Sequence, residues 1–342
     1  MAHELECKNG VWSFVFAKEA GPGWHNKGTE ADSNVSTEDW REFAGHNFTV
    51  SARPVLYRGK DGTIQEMPNR VVNARDDNDH ALGVVSTDYK LVQNSEVDDI
   101  CDSFAAMADG QLVRSAAFTL RRGDMICSTY AYRGDGMTIA GDRHNVHLMA
   151  ATRHDGKGST QFWASVIRAV CKNTIEAGLG SSKAIVSVRH TAKLDPDRVR
   201  EQLAELAQSV LQYKELGDAL AKYSMSKAQI SAFFKEALDI PADATKNDKG
   251  EIVGTSTRKF NQFADLSRAF MRSVQERGGS MDAFTALQAV TRYVDHDRSV
   301  KASSNGDETI ARFDSANFGS GAALKNKAAG LLLPMINAKV AA

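Results

Sequence analysis

The amino-acid sequence predicts an α+β protein, in which a β-hairpin-rich antiparallel sheet domain with packed helices precedes a mainly α-helical C-terminal half. Up to residue 193, segments rich in β-branched and aromatic residues alternate with turn sequences, as strands of hairpins do. From Asp195 onward, apolar residues recur every three or four positions, which is typical of amphipathic helices. We therefore predict an irregular N-terminal arm (1–46), a β-rich core domain (47–193) and a helical C-terminal region (194–342).

Turn sequences define the hairpins of the predicted core. They are Lys60-Asp61-Gly62, Arg122-Gly123-Asp124 and Asp155-Gly156-Lys157-Gly158. Residues 94–107 have a helical apolar period, and Ser95-x-x-Asp98 at their start fits a capping box. After the last hairpin we predict a short helix at 173–180 and a strand at 183–190.

The helical half begins with a strong start signal, because Asp195 can cap a helix whose first position is Pro196. The apolar positions that follow are Val199, Leu203, Leu206, Val210 and Tyr213. This heptad-like stripe has two interpretations. It could form a surface between copies of the chain, or it could belong to an ordinary helix packed on its own sheet.

The composition is that of an ordinary globular protein. The chain has 342 residues, is 42% hydrophobic and carries a formal net charge of -1, so total charge neither indicates nor excludes nucleic acid. No long apolar run and no signal-peptide pattern is visible, so we expect no membrane association. Four scattered cysteines without a C-x-x-C pair indicate a reduced intracellular protein without disulfides or a zinc site.

Cys171 lies between two cations in the stretch "IRAVCKNTIEAG". Arg168 and Lys172 could lower the pKa of a nucleophilic thiol. No protease-like signature surrounds the cysteine, however, so a small packed residue at a strand-to-helix junction is the favoured interpretation. Asn173 or Thr174 would then cap the helix, and the basic pair would bind an anion.

Histidines and glycines offer weaker signals. His144 and His147 are three apart, so on a strand they face opposite sides, which argues against a shared metal. Phe318-Gly319-Ser320-Gly321, followed by Lys325, resembles a phosphate loop but lacks the spacing of a Walker motif. It could still hold one phosphate at a helix start, although a plain helix entry is the simpler interpretation. We assign no catalytic residue, metal or cofactor.

A local excess of cations is the better signal. Between residues 157 and 200, eight basic side chains accompany three acidic ones, and two aromatic residues lie among them. Cations for phosphates and flat rings for bases are what a single-strand groove requires, whereas the simpler alternative is a solvated face with its aromatics in the core. The predicted nucleic-acid-binding residues are Arg121, Arg122, Arg153, Lys157, Phe162, Trp163, Arg168, Lys172, Asn173 and Arg189.

An ordered set of segments also resembles a known family. They are "PGWHNKGTE", "GVVSTDYKLVQN", "RHDGKGSTQFWASVIRAVCKNTIEAGL", "RHT", "LQAVTRYVDHDR" and "FGSGAALKNKAA". Together they resemble the phage- and plasmid-borne family known as domain of unknown function 932. The resemblance implies a mobile-element protein made in the cytoplasm of a bacterial host. Such elements often carry single-strand annealing proteins, which combine a basic β-hairpin core with helices and form oligomers.

Three functional hypotheses follow. The first is a nucleic-acid-binding protein, for single-stranded DNA above all, which acts in recombination or replication as a homo-oligomer. The second is an enzyme acting on a nucleotide or nucleic acid through His25, His154, His190 or His296. The third is an oligomeric scaffold or an inhibitor of a host factor that uses the helical half.

Overall fold

The structure is a computed structural model that describes residues 5–8, 10–20, 27–109, 111–134, 136–168, 174–176, 185–300 and 308–340. The protein is mixed α+β, as predicted, with several antiparallel sheets and eight α-helices in the described ranges. None of the helices within those ranges has both the length and the apolar character needed to cross a membrane.

The strands are β1 (Cys7–Lys8), β2 (Val11–Trp12), β3 (Phe14–Ala17), β4 (Thr29–Ala31), β5 (Val50–Arg58), β6 (Ile64–Arg75), β7 (Ala81–Ser86), β8 (Leu112–Leu120), β9 (Met125–Tyr132), β10 (Met137–Ile139), β11 (Asp142–Arg153), β12 (Thr160–Arg168), β13 (Thr174–Glu176), β14 (Ile185–Val188), β15 (Thr245–Lys246) and β16 (Ile252–Val253). The helices are α1 (Thr37–Ala44), α2 (Asn94–Met107), α3 (Pro196–Ala221), α4 (Lys227–Ala237), α5 (Thr257–Glu276), α6 (Ala283–Arg292), α7 (Glu308–Phe318) and α8 (Ser320–Val340). A π-helical turn, Tyr293–Asp297, follows α6 directly.

The main sheet has the order β13-β12-β11-β9-β8-β3-β4, with β10 also paired to β11 and β14 to β12. Its β8–β9 and β11–β12 hairpins lie at two of the predicted turns. A small sheet, β5-β6-β7, contains the third predicted hairpin. The register of both sheets is antiparallel except for the β3–β4 pair.

The N-terminal residues are not the irregular arm that the sequence predicts. β3 pairs with β8 inside the main sheet, and α1 covers it with Trp40 and Ala44 buried. Every residue of β3 is buried, so the segment lacks the alternation of apolar and polar residues by which a half-exposed strand is recognised. In the described part of residues 1–46, β3 and β4 therefore belong to the main sheet and α1 packs on it, while β1 and β2 form a separate two-stranded sheet.

Two further local predictions are corrected. The capping box of α2 starts at Gln93 and closes with Glu96, two residues before the predicted one, and Asp98 is buried instead. Residues 174–176 form β13 on the edge of β12 where a helix was predicted, because backbone pairing with β12 outweighs local propensity. Cys171 and its predicted junction lie outside the described residues.

Both faces of the main sheet are covered. On one face Phe162 and Tyr130 join a buried cluster that extends into the helical half as far as Leu332. On the other face Trp163 packs with Phe14, Met149 and neighbouring apolar side chains. The start of α3 is as predicted, since the Asp195 carboxylate accepts from two backbone N–H groups of the first turn. Of its apolar stripe, Val199, Leu203 and Tyr213 are buried in this same core, which favours the ordinary packed helix.

Candidate nucleic-acid interface

Two hairpin tips meet at one end of the main sheet. Arg153 pairs with Met125 across β11 and β9, and the His154 N–H donates to the Asp124 carbonyl at 2.8 Å. The tips of β8–β9 and β11–β12 are thereby held side by side. We call their charged residues the hairpin-tip cluster: Arg121, Arg122, Asp124, Arg153, Asp155 and Lys157.

The β8–β9 tip has a strained backbone. Arg121 and Arg122 have φ of 51° and 58°, in the left-handed region, and Gly123 follows at 104°. Such a conformation costs a non-glycine residue on the order of 1 kcal/mol or more, so the surrounding contacts must hold it. Arg75 does this by donating from Nη1 to the Arg122 carbonyl at 2.9 Å. The turn leaves the Arg122 side chain exposed to solvent.

Arg75 is itself fixed in a buried position. Its guanidinium is 1% exposed, forms a two-pronged contact with Asp77 at 2.8 and 2.8 Å, and reaches Glu6 at 2.8 Å. It also lies 3.9 Å from the centre of the Phe48 ring. The positive charge of Arg75 is therefore satisfied internally, and its role is to position the tip.

Carboxylates partly neutralise the positive charge of the hairpin-tip cluster. Arg153 contacts Asp155 at 3.1 and 2.7 Å, and the Lys157 ammonium lies 3.9 Å from the same carboxylate while its side chain is 77% exposed. Burial alone would raise the pKa of Asp155, but Arg153 and Lys157 together lower it. Burial and the nearby Asp155 raise the pKa of Asp124 to about 6, against the opposing charges of Arg121, Lys157 and Arg153.

The small sheet packs directly on this end. A Cβ on Gly83 in β7 would lie 2.6 Å from the Asp155 carbonyl oxygen, so only glycine permits the approach. The next residue, Gly156, packs on the Val85 side chain, where a Cβ would lie 2.8 Å from a valine methyl. The Tyr89 hydroxyl, in the segment after β7, donates to the Arg153 carbonyl at 2.8 Å. The small sheet is thus anchored to the hairpin-tip cluster.

Two neutral histidines lie behind the cluster. Asn94 uses its amide N–H groups for the carbonyls of His46 and Phe48, so its Oδ1 accepts from His154 Nε2 at 2.8 Å. His190 donates from Nδ1 to the Lys90 carbonyl at 2.9 Å and stacks on Tyr89. Burial, reinforced by the nearby His190, lowers the pKa of His154 to about 3. Burial likewise lowers the pKa of His190.

A β-hairpin arm projects beyond the small sheet. Residues 56–70, the outer parts of β5 and β6 with their turn, are exposed on both faces apart from the half-buried Gly59. This β5–β6 arm has large exposed apolar side chains, among them Tyr57 at 46% exposure. Its cations are Arg58, Lys60 and Arg70, and its acids are Asp61 and Glu66. Since Arg70 adjoins Val71, which pairs with Val85 beside Gly156, the base of the arm adjoins the hairpin-tip cluster.

The structure brings together about half of the residues predicted from sequence. Arg121, Arg122, Arg153 and Lys157 lie in the cluster, and exposed Arg189 follows the end of β14 at the same edge of the sheet, where Val188 pairs with Thr160. Arg168 lies at the opposite end of β12, paired with His144. Along the strand it lies eight residue steps from Thr160, which is roughly 26 Å. Lys172 and Asn173 lie outside the described residues.

The predicted stacking by Phe162 and Trp163 is wrong. Their side chains are 0% and 2% exposed, because helices cover one face of β12 and the β3 side of the molecule covers the other. One exposed aromatic residue that sequence reasoning missed is Tyr57. A signal was available in the sequence, since apolar and polar residues do not alternate strictly on either side of the Lys60-Asp61-Gly62 turn.

Only two of the four histidines in the enzyme hypothesis, His154 and His190, lie close to each other in the described residues. The ring of His154 is fully buried, and charge interactions link it to His190 and Asp155. His296 is exposed in the π-helical turn of the helical half, and His25 lies outside the described residues. Among the described residues, no group of three or more His, Cys, Asp or Glu side chains could hold a metal ion.

Comparison with known families identifies the chain's relatives. The family Domain of unknown function (DUF932) matches residues 81–317. The chain belongs to this family. The match includes the hairpin-tip cluster and most of the helical half, and it begins after the β5–β6 arm. Neither the comparison with curated proteins nor that with solved structures found a match.

Proposed function

We propose that this protein binds nucleic acid, and single-stranded DNA above all, in the cytoplasm of a bacterial host. The observation that supports it best is the hairpin-tip cluster, in which two hairpins present Arg121, Arg122 and Lys157 at one end of the sheet. The phage and plasmid context of the family resemblance fits a role in recombination or replication.

The arrangement suits a flexible polyanion. Arg122 and Lys157 are exposed, and Lys157 lies only loosely near Asp155, so both are free to contact phosphates. The adjoining β5–β6 arm supplies an exposed aromatic ring in Tyr57, whose hydroxyl donates to Gln65 at 2.7 Å. Cations followed by an accessible ring are the two elements of single-strand binding, since every base has a face that can stack.

The arm also supports assembly of several copies. A two-stranded ribbon is marginally stable in water by itself, and this one exposes Leu56, Ile64 and Met67. Contacts with a neighbouring copy along bound DNA would cover these side chains. We therefore propose a homo-oligomer on single strands.

The deciding experiment is fluorescence anisotropy of a labelled single-stranded oligonucleotide at about 50 and about 200 mM salt. The wild-type protein should bind more tightly at low salt. The Arg122→Ala/Lys157→Ala variant should bind about tenfold more weakly at low salt, with a reduced salt dependence, because two phosphate contacts are lost.

The matched control is Arg143→Ala/Lys227→Ala, which removes two exposed cations distant from the tips. It should retain wild-type affinity. Absence of binding by the wild-type protein at low salt would refute the proposal, as would equal losses in the two double variants. Tyr57→Phe should retain affinity that Tyr57→Ala loses, since stacking requires the ring and not the hydroxyl.

A further inference from the structure

A second basic site lies in the helical half, away from the hairpin tips. Two adjoining cavities of about 240 and about 230 Å³ open between the C-terminal end of α4, the helices α5, α7 and α8, and the segment after the π-helical turn. Arg298 and Ser320 line both of them. We call this the Arg298 cavity, and the polar residues that matter for it are Asp239, Arg258, Arg298, Ser315, Ser320 and Lys327.

Arg298 has no counter-charge among the residues that the structure describes. Its Nη1 is buried and donates to no acceptor among the described residues. Its backbone is fixed, because its N–H donates to the Tyr293 carbonyl at 2.7 Å and its carbonyl accepts from Arg312 at 2.5 Å. A guanidinium N–H without a protein acceptor retains the capacity to donate to an oxygen from outside the chain.

Nearby carboxylates are already engaged by other cations. Lys325 contacts Asp295 at 3.4 Å, and Arg272 contacts Asp297 at 3.5 Å. Lys327 contacts Asp239 at 2.5 Å, and this hydrogen bond lowers the pKa of Asp239. Arg258 and Arg298, in contrast, contact no carboxylate in the part of the chain that the structure describes. The cavity therefore has an excess of positive charge.

The first turn of α8 adds to this charge. Ser320 begins the helix beside Arg298, and its hydroxyl oxygen lies 3.5 Å from that of Ser315. A Cβ on Gly321 would lie 2.7 Å from both the Ser315 carbonyl oxygen and a Val294 methyl, so glycine allows the helix to begin close to the turn. Helix starts carry partial positive charge and favour anions.

We propose that the Arg298 cavity binds a phosphate group, as inorganic phosphate or as part of a small phosphorylated ligand. Arg298 and Arg258 would contact the oxyanion, and Ser315 and Ser320 would supply hydroxyl donors. The two adjoining cavities together have room for a free oxyanion or for a small phosphorylated ligand. The site does not depend on the proposed nucleic-acid surface.

The test is isothermal titration of the full chain with inorganic phosphate, with ionic strength held constant by chloride. The wild-type protein should bind one phosphate per chain. Arg298→Gln should weaken this binding at least tenfold, and Arg258→Gln should weaken it severalfold, because the exposed Arg258 contributes without being buried. Arg258 lies in the first turn of α5, so its replacement keeps the fold testable.

The matched control is Arg268→Gln, an exposed arginine on the same helix that pairs with Asp265. It should bind phosphate like the wild type. Failure of the wild type to bind phosphate would overturn the proposal, as would equal affinities in the Arg258→Gln and Arg268→Gln variants. Anisotropy with single-stranded DNA separates the two sites, since Arg298→Gln should leave that binding unchanged and Arg122→Ala/Lys157→Ala should leave phosphate binding unchanged.

Discussion

The hairpin-tip cluster and the Arg298 cavity both collect cations, but they differ in what balances the charge. At the tips, Arg153 and Lys157 share Asp155, and Asp124 lies close by with a pKa near 6. In the cavity, Arg298 and Arg258 have no carboxylate partner among the described residues, and the nearby acids are held by Lys325, Lys327 and Arg272. The net charge of the hairpin-tip cluster therefore changes with pH, whereas the positive charge of the Arg298 cavity does not.

The difference shows that counting cations in a sequence is not enough. Of the basic residues between 157 and 200, only Lys157 lies in the hairpin-tip cluster, where part of the charge is neutralised. The cavity, whose arginines are far apart in sequence, gave only the weak signal of a glycine-rich helix start. Availability of a cation depends on its partners, and those are set by the tertiary structure.

The largest expected effect comes from Gly83→Ala, which should damage the tips alone. The added Cβ would lie 2.6 Å from the Asp155 carbonyl oxygen and 2.8 Å from its Cα, both backbone atoms that cannot rotate away. We expect a loss of about 3 kcal/mol in the free energy of unfolding, as for other overpacked sites, measured by chemical denaturation. DNA affinity should fall with it, while phosphate binding at the Arg298 cavity persists in the folded fraction.

Gly330→Ala is the control for that experiment. Gly330 is exposed in α8, and a Cβ there would meet no atom within 4 Å. Its replacement should be neutral or should stabilise by up to about 1 kcal/mol, since alanine favours helix. Gly83→Ala with wild-type stability would mean that the small sheet does not rest on the hairpin tips.

How far the sequence predicts the molecule depends on the range of the interactions. Turns and caps were predictable, because the Arg122-Gly123-Asp124 tip and the Asp195 cap depend on neighbouring residues. The strand at Phe14–Ala17 and the edge strand at Thr174–Glu176 were missed, because both are fixed by pairing with distant strands. Local pattern does not contain that information.

The residues of the candidate site also fall into those that local sequence predicts and those that depend on distant parts of the chain. The cations of the two tips were predicted together because hairpin turns were visible on both. Phe162 and Trp163 were misassigned because β12 is covered on both faces, and a strand buried on both sides has the same composition as one that exposes an aromatic face. Arg168 was misplaced because the length of β12, which separates it from the tips, does not follow from its composition.

A second, smaller effect concerns the neutral histidine behind the tips. Burial first, and then His190, lowers the pKa of His154 to about 3, below its ordinary value of about 6.5. A histidine whose pKa is lower in the folded state than in the unfolded chain contributes its full stability at pH values above the unfolded-state pKa. That contribution is lost as the pH falls from about 6.5 toward 3. Between pH 7 and 5, His154 alone should reduce the free energy of unfolding by about 2 kcal/mol.

Chemical denaturation of His154→Gln at both pH values isolates this contribution, since glutamine can still donate to Asn94. The variant should lose about 2 kcal/mol less than the wild type over that range, and the exposed-histidine control His296→Gln should match the wild type. His154→Gln must be compared with the wild type because Asp124 changes the stability in the opposite direction. The raised pKa of Asp124 makes the fold more stable as the pH falls from about 6 toward 4. Equal slopes in all three proteins would contradict a neutral, buried His154.

The smallest effect is the sharpest test of the contrast between the two basic sites. Below pH 6 the Asp124 carboxyl is protonated, so the hairpin-tip cluster loses one negative charge beside Arg121, Arg153 and Lys157. DNA affinity should therefore be about threefold higher at pH 5 than at pH 7.5, in keeping with the energy of one partly exposed charge interaction. Asp124→Asn should bind DNA at pH 7.5 as tightly as the wild type does at pH 5, and its affinity should lose most of the pH dependence. The control Asp243→Asn removes an exposed carboxylate in the helical half and should keep the wild-type pH dependence. Anisotropy at the two pH values measures all three proteins. If Asp124→Asn retains the wild-type pH dependence, the adjustable charge is not at the tips, and the distinction drawn between the two sites fails.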